Sequence, residues 1–219
     1  AVCAAAFALV YWVLSRTFLA TATMGRTVRR AKKLDWSRTD RRRPIQAITG
    51  KEWKKFLGTP VYLTNMGLGL IFTALLPILG LVFRSKLMLL VHLFGLSGGV
   101  LTAILCAGLC YVGSMSLIST PSVSLEGKNF WILRSMPVSS KTILLGKLRL
   151  HLLCCVPLNV LSGLVLALAY GCGPINALLA SLIPGLFGVL SGVLGLVFGL
   201  KWARFDYISE AYPCKQSGS

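Results

Sequence analysis

The residues able to carry out acid–base or metal chemistry are few in this chain, and they form none of the usual catalytic or metal-binding motifs. The carboxylates are Asp35, Asp40, Glu52, Glu126, Asp206 and Glu210, the histidines are His92 and His151, and the cysteines are Cys3, Cys106, Cys110, Cys154, Cys155, Cys172 and Cys214. The sequence contains no Cys-x-x-Cys, no His-Glu-x-x-His and no G-x-x-x-x-G-K-[S/T] phosphate loop. It therefore predicts no catalytic residue, no metal site and no bound cofactor.

The elements that carry these residues are long apolar stretches. Hydrophobic residues make up 55% of the 219 positions and charged residues only 13%, whereas crossing a bilayer takes about 20 mainly apolar residues. The stretches 61–83, 87–117, 150–170 and 177–200 meet this length, and we expect a fifth, truncated span at 1–23, although Arg16 interrupts it. The prediction is an all-α polytopic membrane protein with about five transmembrane helices.

The charge distribution predicts the orientation of these spans. The net charge is +17, and most of the basic residues lie in 24–60, in 119–147 and in the tail 201–219. Short loops rich in Lys and Arg stay in the cytoplasm, which leaves only Arg84 and Lys86 outside. This topology and attraction to anionic lipid explain the basic run better than nucleic-acid binding, so we expect the lipid bilayer as a partner and no nucleic acid.

Two helical patterns suggest how the spans are anchored and packed. In the basic linker 24–60, the segment 51–58 places Trp53, Phe56 and Leu57 at helical spacing among lysines, which predicts an amphipathic helix in the membrane interface. A helix that merely anchors the next span is compatible with this interpretation.

In the last span four glycines are spaced by 4, 3 and 4 residues, which favours close helix packing over a substrate groove. They are Gly188, Gly192, Gly195 and Gly199.

The loop 119–147 has the most ordered polar sequence in the chain. Phe130 begins the apolar run Phe-Trp-Ile-Leu in an otherwise charged context, Pro137 stops a short helix, and Ser139 or Ser140 can cap the next one. Exposed aromatic residues at such a place meet either the membrane surface or a protein partner.

Two motifs in this order resemble those of type-2 ABC (ATP-binding cassette) exporter permeases. The loop carries Glu126-Gly127, then S-M-P-V-S at 135–139, then I-L-L-G-K at 143–147, and the upstream K-E-W-K-K-F-L-G-T-P at 51–60 is similar to the family's basic interface helix. The two motifs are separated by two spans, as in that family. The resemblance covers residues 51 to about 200, and it is strongest to bacterial permease subunits.

The resemblance implies that 126–137 forms a coupling helix that docks into a separate ATP-binding subunit. The residues that would couple to this subunit are Glu126, Gly127, Phe130, Trp131, Leu133, Arg134 and Pro137, with Trp53, Phe56 and Leu57 in the interface helix beside them. ATP and magnesium would be bound by the partner, so the chain itself would not be an enzyme. A second permease unit or a homodimer would complete the transporter in the bacterial plasma membrane.

The chain departs from the family in the number of its spans. The family unit has six, whereas only four are expected after residue 60 here, which favours a fragment of a longer chain. The alternative function is a non-transporting membrane scaffold whose aromatic loop recruits a partner. An integral membrane enzyme is a third interpretation, and the scattered ionisable residues give it no catalytic constellation.

Overall fold

Helices and the turns between them make up the described part of the chain. The structure is a computed structural model, and it describes residues 12, 43–207 and 211–215, with no strand among them. The elements below all belong to the unit Arg42–Ser219. The expected span 1–23, apart from Trp12, lies outside the described residues, as do the linker up to residue 42 and the tail positions 208–210 and 216–219.

The helices follow one another with short connections. They are α1 (Pro44–Gly58), α2 (Pro60–Val82), α3 (Arg84–Leu93), α4 (Gly98–Ser114), α5 (Pro121–Ser124), α6 (Phe130–Ser135), α7 (Ser140–Ala169), α8 (Pro174–Lys201) and α9 (Ala211–Lys215), with a 3₁₀ turn at Gly127–Asn129. Proline occupies the start of α1, α2, α5 and α8, where its missing N–H costs no hydrogen bond. Ser139 caps α7, since its side chain accepts a hydrogen bond from the Thr142 amide.

Three of the described helices, α2, α7 and α8, are long and apolar enough to cross a membrane, and α4 is a shorter apolar helix. They coincide with the expected spans 61–83, 150–170 and 177–200. The single helix expected over 87–117 is instead divided into α3 and α4. The break contains Gly95, whose φ of +57° favours glycine, and Ser97, whose hydroxyl caps α4 by accepting from the Val100 amide.

The helix α7 packs against both α2 and α8 through polar side chains that bind backbone carbonyls. Ser162 Oγ donates to Thr73 O of α2 at 2.9 Å, and Asn159 Nδ2 donates to Pro184 O of α8 at 3.1 Å. Such bonds join helices inside an apolar bundle. Asn159, an amide deep in an apolar helix, thus has an interhelical hydrogen bond.

The four glycines of α8 lie on a buried face. A Cβ at Gly192 would lie 2.5 Å from the His151 ring, and one at Gly199 would lie 2.2 Å from Thr120 O. α7 and the segment before α5 thus approach the α8 backbone directly. His151 is fully buried in α7, and its Nε2 donates to Gly188 O at 3.0 Å.

Candidate functional site

A buried lysine brings three separate segments together at the end of the bundle where α1 and the 119–147 loop lie. Lys147 Nζ is 2.7 Å from Glu52 Oε1 and 2.6 Å from Glu126 Oε1, and it also donates to Ser122 O at 2.9 Å. The side chains of Glu52 and Lys147 are each 1% exposed and that of Glu126 is 4% exposed. Glu52, Glu126 and Lys147 are named the ion cluster below.

Local sequence explains why each member of the ion cluster faces inward. Glu52 stands in the middle of the buried stripe of α1, between Ile48 and Phe56, which are each four residues away and so share its helix face. Lys147 follows Gly146, where a Cβ would lie 2.6 Å from Ile48 Cγ2. The missing side chain lets α1 cross α7 closely enough for Lys147 to reach Glu52.

Glu126 is held by a turn that depends on the next residue. Gly127 has a φ of +52°, and a Cβ there would lie 2.8 Å from the hydroxyl oxygen of Tyr207. That hydroxyl donates to Leu125 O at 3.1 Å. The pair Glu126-Gly127 therefore forms a structural unit: the glycine permits the turn, and the turn directs the carboxylate toward Lys147.

Two further lysines surround Glu126. Lys51 Nζ and Lys55 Nζ lie 2.7 and 3.5 Å from Glu126 Oε2. Burial by itself favours the neutral acid, but the charge of Lys147 and hydrogen bonds from Lys147 and Lys51 lower the pKa of Glu126 to about 2. Glu126 is thus an anion at neutral pH, shared among three cations.

Glu52 is in a different environment although it binds the same lysine. Burial raises the pKa of Glu52 above its ordinary value, and the nearby charge of Lys147 opposes this rise. Its second oxygen, Oε2, has no hydrogen-bond partner among the described residues. Burial likewise lowers the pKa of the Lys55 ammonium. The ion cluster therefore contains one firmly ionised carboxylate and one that burial pushes toward its neutral form.

Next to the ion cluster, α6 presents apolar side chains to the outside. Trp131 is 65% exposed, and Ile132 and Met136 are each 41% exposed. Leu133 points the other way and is buried, and Phe130 stacks on Phe205 with ring centroids 4.9 Å apart. The short helix is therefore fixed on its inner side and apolar on its outer side.

The structure separates the seven coupling residues predicted from the sequence into two groups. Trp131, Arg134 and Pro137 are exposed and Phe130 is half-buried, whereas Glu126, Gly127 and Leu133 are buried. A contact surface for another protein on this loop can therefore include the first group directly. The buried group can only support that surface from below.

The three residues expected on one face of the interface helix are also separated. Trp53 and Leu57 are exposed, but Phe56 is buried and packs edge-to-face on Tyr62 with centroids 5.1 Å apart. The helix is longer than the expected 51–58, since it begins at Pro44. Its buried stripe consists of Ile48, Glu52 and Phe56, so Trp53 and Leu57 face away from the ion cluster.

Sequence reasoning missed Glu52 and Lys147 as site residues, although both stand in the quoted motifs. A signal was available for each. Glu52 is the carboxylate centred at four-residue spacing between two apolar residues, and Lys147 lies within α7 with the apolar residues Ile143 and Leu150 on the same helix face. Lone charges in apolar stripes are buried only when paired, so opposite charges at two such positions indicate a pair.

The described residues contain no group of three His, Cys, Asp or Glu side chains that could hold a metal ion. What the ion cluster can do is join α1, the turn before α6 and α7 by charge-assisted hydrogen bonds, which are short and strong in a buried place. Comparison of the chain with protein-family models, with curated proteins and with solved structures found no match.

Proposed function

We propose that this chain is the membrane-spanning permease part of an ABC exporter, and that the outer face of α6 docks on a separate ATP-binding subunit. The proposed chain has about five transmembrane helices in a bacterial membrane, with the segments 24–60, 119–147 and 201–219 on the cytoplasmic side. The partner subunit would bind ATP and magnesium. A second permease unit or a second copy of this chain would complete the transporter.

The observation that carries the proposal is the convergence of the ion cluster beneath an exposed aromatic helix. Glu52, Glu126 and Lys147 come from three of the four sequence segments that resemble permease motifs, and Lys147 lies 2.7 Å from Glu52 and 2.6 Å from Glu126. This contact supports treating the three segments as one structural unit, as the resemblance implies.

The geometry also suits the transmission of a displacement. Glu126 immediately precedes the 3₁₀ turn Gly127–Asn129, which leads directly into α6. Lys147 lies near the start of the 30-residue helix α7. At about 1.5 Å per residue, α7 is some 45 Å long. A push on α6 would move Glu126, and through the ion cluster it would reach both α1 and one membrane-crossing helix.

The contact surface offers one dominant anchor. Trp131 is the most exposed aromatic residue of the loop, and buried tryptophans at interfaces commonly contribute 2 kcal/mol or more to binding. We therefore expect Trp131→Ala to weaken capture of the ATP-binding subunit by about 30-fold, because the side chain has few contacts within this chain to lose.

The experiment is purification of this chain from the membrane of its native cells, with co-purification of an ATP-binding cassette protein as the measurement. The matched control is Trp202→Ala, since Trp202 is 45% exposed and follows α8 at the same end of the bundle. Capture should be lost with Trp131→Ala and kept with Trp202→Ala. If Trp131→Ala binds as well as the parent chain, or if the parent chain captures no ATPase, the proposal is wrong and a scaffold role for the aromatic loop is favoured.

A further inference from the structure

A groove runs along the outer side of α1 where this helix crosses α7. Its volume is about 400 Å³, and the lining residues that matter here are Thr49, Gly50, Trp53 and Lys54 of α1 with Arg149 and Leu153 of α7. It is named the α1–α7 groove. It lies on a different face of α1 from the ion cluster, and the coupling proposed above makes no use of it.

Helical spacing explains why these residues line one groove. Gly50, Trp53 and Lys54 are three and four residues apart, so they share a face of α1, and Arg149 and Leu153 share a face of α7 in the same way. The crossing is fixed by Thr49 Oγ1, which donates to Gly146 O of α7 at 3.1 Å. At Gly50 a Cβ would meet nothing within 4 Å, so the floor of the groove is open.

The groove combines two cations with an apolar wall. Trp53 is 45% exposed and Leu153 is 55% exposed, and both are beside Lys54 and Arg149. Among the described residues neither of these cations forms an ion pair, because the two described carboxylates nearby belong to the ion cluster and bind Lys51, Lys55 and Lys147. The groove therefore presents two positive charges without a neutralising partner from the described chain.

Its position along α7 suggests what neutralises them. Arg149 precedes the apolar part of a helix long enough to cross a membrane, and Leu153 is one turn further into that part. Tryptophan together with Lys and Arg is typical of the boundary between lipid headgroups and acyl chains. The charged rim thus lies toward the headgroup side and the apolar wall toward the acyl side.

We infer that the α1–α7 groove binds an anionic phospholipid, with the phosphate between Lys54 and Arg149 and an acyl chain against Trp53 and Leu153. The net charge of +17 attracts anionic lipid to the whole chain, but the groove gives it a defined site. A soluble phosphate compound would use only the rim and leave the exposed tryptophan and leucine without a contact.

The test uses Trp53 as its own reporter. In a variant with Trp12, Trp36, Trp131 and Trp202 changed to Phe, the remaining fluorescence comes from Trp53 alone. We would reconstitute it into phosphatidylcholine vesicles containing bromine-labelled phosphatidylglycerol or bromine-labelled phosphatidylcholine, and measure quenching. Each cation near the membrane surface should favour an anionic over a neutral lipid roughly fivefold. The two cations together should therefore make the binding constant for phosphatidylglycerol about 25-fold larger than that for phosphatidylcholine.

Two double variants separate a site from general charge attraction. Lys54→Gln with Arg149→Gln should bring the preference close to one, whereas Lys141→Gln with Lys201→Gln removes the same charge from exposed positions at the same end of the bundle and should leave it unchanged. Equal loss in both double variants would overturn the inference in favour of non-specific attraction. Quenching by neither labelled lipid would show that the groove is covered, and this result would overturn it as well.

A soluble competitor separates lipid from free phosphate compounds. Glycerol 3-phosphate added at millimolar concentration should not relieve the quenching, and full relief would contradict the assignment of a lipid. Should the variant with Trp53 as its only tryptophan not fold, the parent chain in detergent provides the same comparison. Phosphatidylglycerol should then raise its thermal unfolding temperature more than phosphatidylcholine does, and Lys54→Gln with Arg149→Gln should abolish that difference.

Discussion

Lys147 compensates two buried carboxylates at once, and this makes it the most sensitive residue of the ion cluster. Removing one partner of a buried ion pair leaves an uncompensated charge and costs about 3–5 kcal/mol. Here removal of the lysine would leave Glu52 and Glu126, each within 2.7 Å of the same nitrogen, without the cation between them. Their mutual repulsion would add to the cost of burial.

We therefore expect Lys147→Met to destabilise the chain by at least about 3 kcal/mol, measured by thermal unfolding in detergent. Lys141→Met is the matched control, because Lys141 is exposed on the same helix, and it should change stability little. The triple variant Lys147→Met, Glu52→Gln, Glu126→Gln should recover much of the loss, since it leaves no buried charge in the cluster. If Lys147→Met is as stable as Lys141→Met, the ion cluster does not stabilise the packing of α1 against α7.

At the same scale, the sequence predicted some polar contacts and missed others for a clear reason. The bond of Asn159 between helices can be expected from the sequence, because an amide deep in an apolar span needs a partner within the protein. The partners of Ser119 and Tyr62 were not predictable, since their hydroxyls donate to the carbonyls of Gly192 and Ile118, 73 and 56 residues away along the chain. A carbonyl acceptor is present at every residue, so it leaves no mark in the sequence.

Among the elements, α8 is held by its glycine face, and Gly199 tests this most directly. A Cβ there would lie 2.2 Å from Thr120 O and 3.1 Å from the Thr120 carbonyl carbon. These are backbone atoms that cannot rotate away. Gly199→Ala should therefore force α8 and the segment before α5 apart, at a cost of about 1–3 kcal/mol.

The control for this prediction is Gly108→Ala in α4, where a Cβ would meet nothing within 4 Å. Alanine is the better helix former, so Gly108→Ala should be neutral or stabilising by up to about 1 kcal/mol. The measurement for both variants is the thermal unfolding temperature in detergent. Equal effects of the two substitutions would argue against close packing at Gly199.

Long apolar elements could be predicted from the sequence because a stretch of about 20 apolar residues has few structures other than a helix. Their interruptions were harder to predict. The run 87–117 contains Gly95, Ser97, Gly98 and Gly99 within five positions, and this cluster divides it into α3 and α4. The start of α1 at Pro44 was missed because the residues before Lys51 are neither strongly apolar nor clearly amphipathic.

For the whole molecule, the described charges are distributed unevenly between the ends of the bundle. The end with α1, the ion cluster and α6 carries Lys51, Lys54, Lys55 and Lys141 among its basic residues, whereas the opposite end carries Arg84 and Lys86 in the first turn of α3. The excess of Lys and Arg in cytoplasmic loops of membrane proteins therefore predicts, in line with the proposed topology, that the basic end faces the cytoplasm. This asymmetry survives the division of the run 87–117, because it depends on the loops and not on the number of spans.

This orientation predicts which positions a membrane-impermeant maleimide can reach in intact bacterial cells. Lys86→Cys, at an exposed position of α3, should be labelled in intact cells, because it lies at the outer end. Ser140→Cys, exposed at the start of α7, should be labelled only after the membrane is permeabilised. The parent chain with its own cysteines gives the background to subtract. Labelling of Ser140→Cys in intact cells would place α6 and its tryptophan outside, where no ATP-hydrolysing subunit could reach them, so the same result would exclude the proposed coupling.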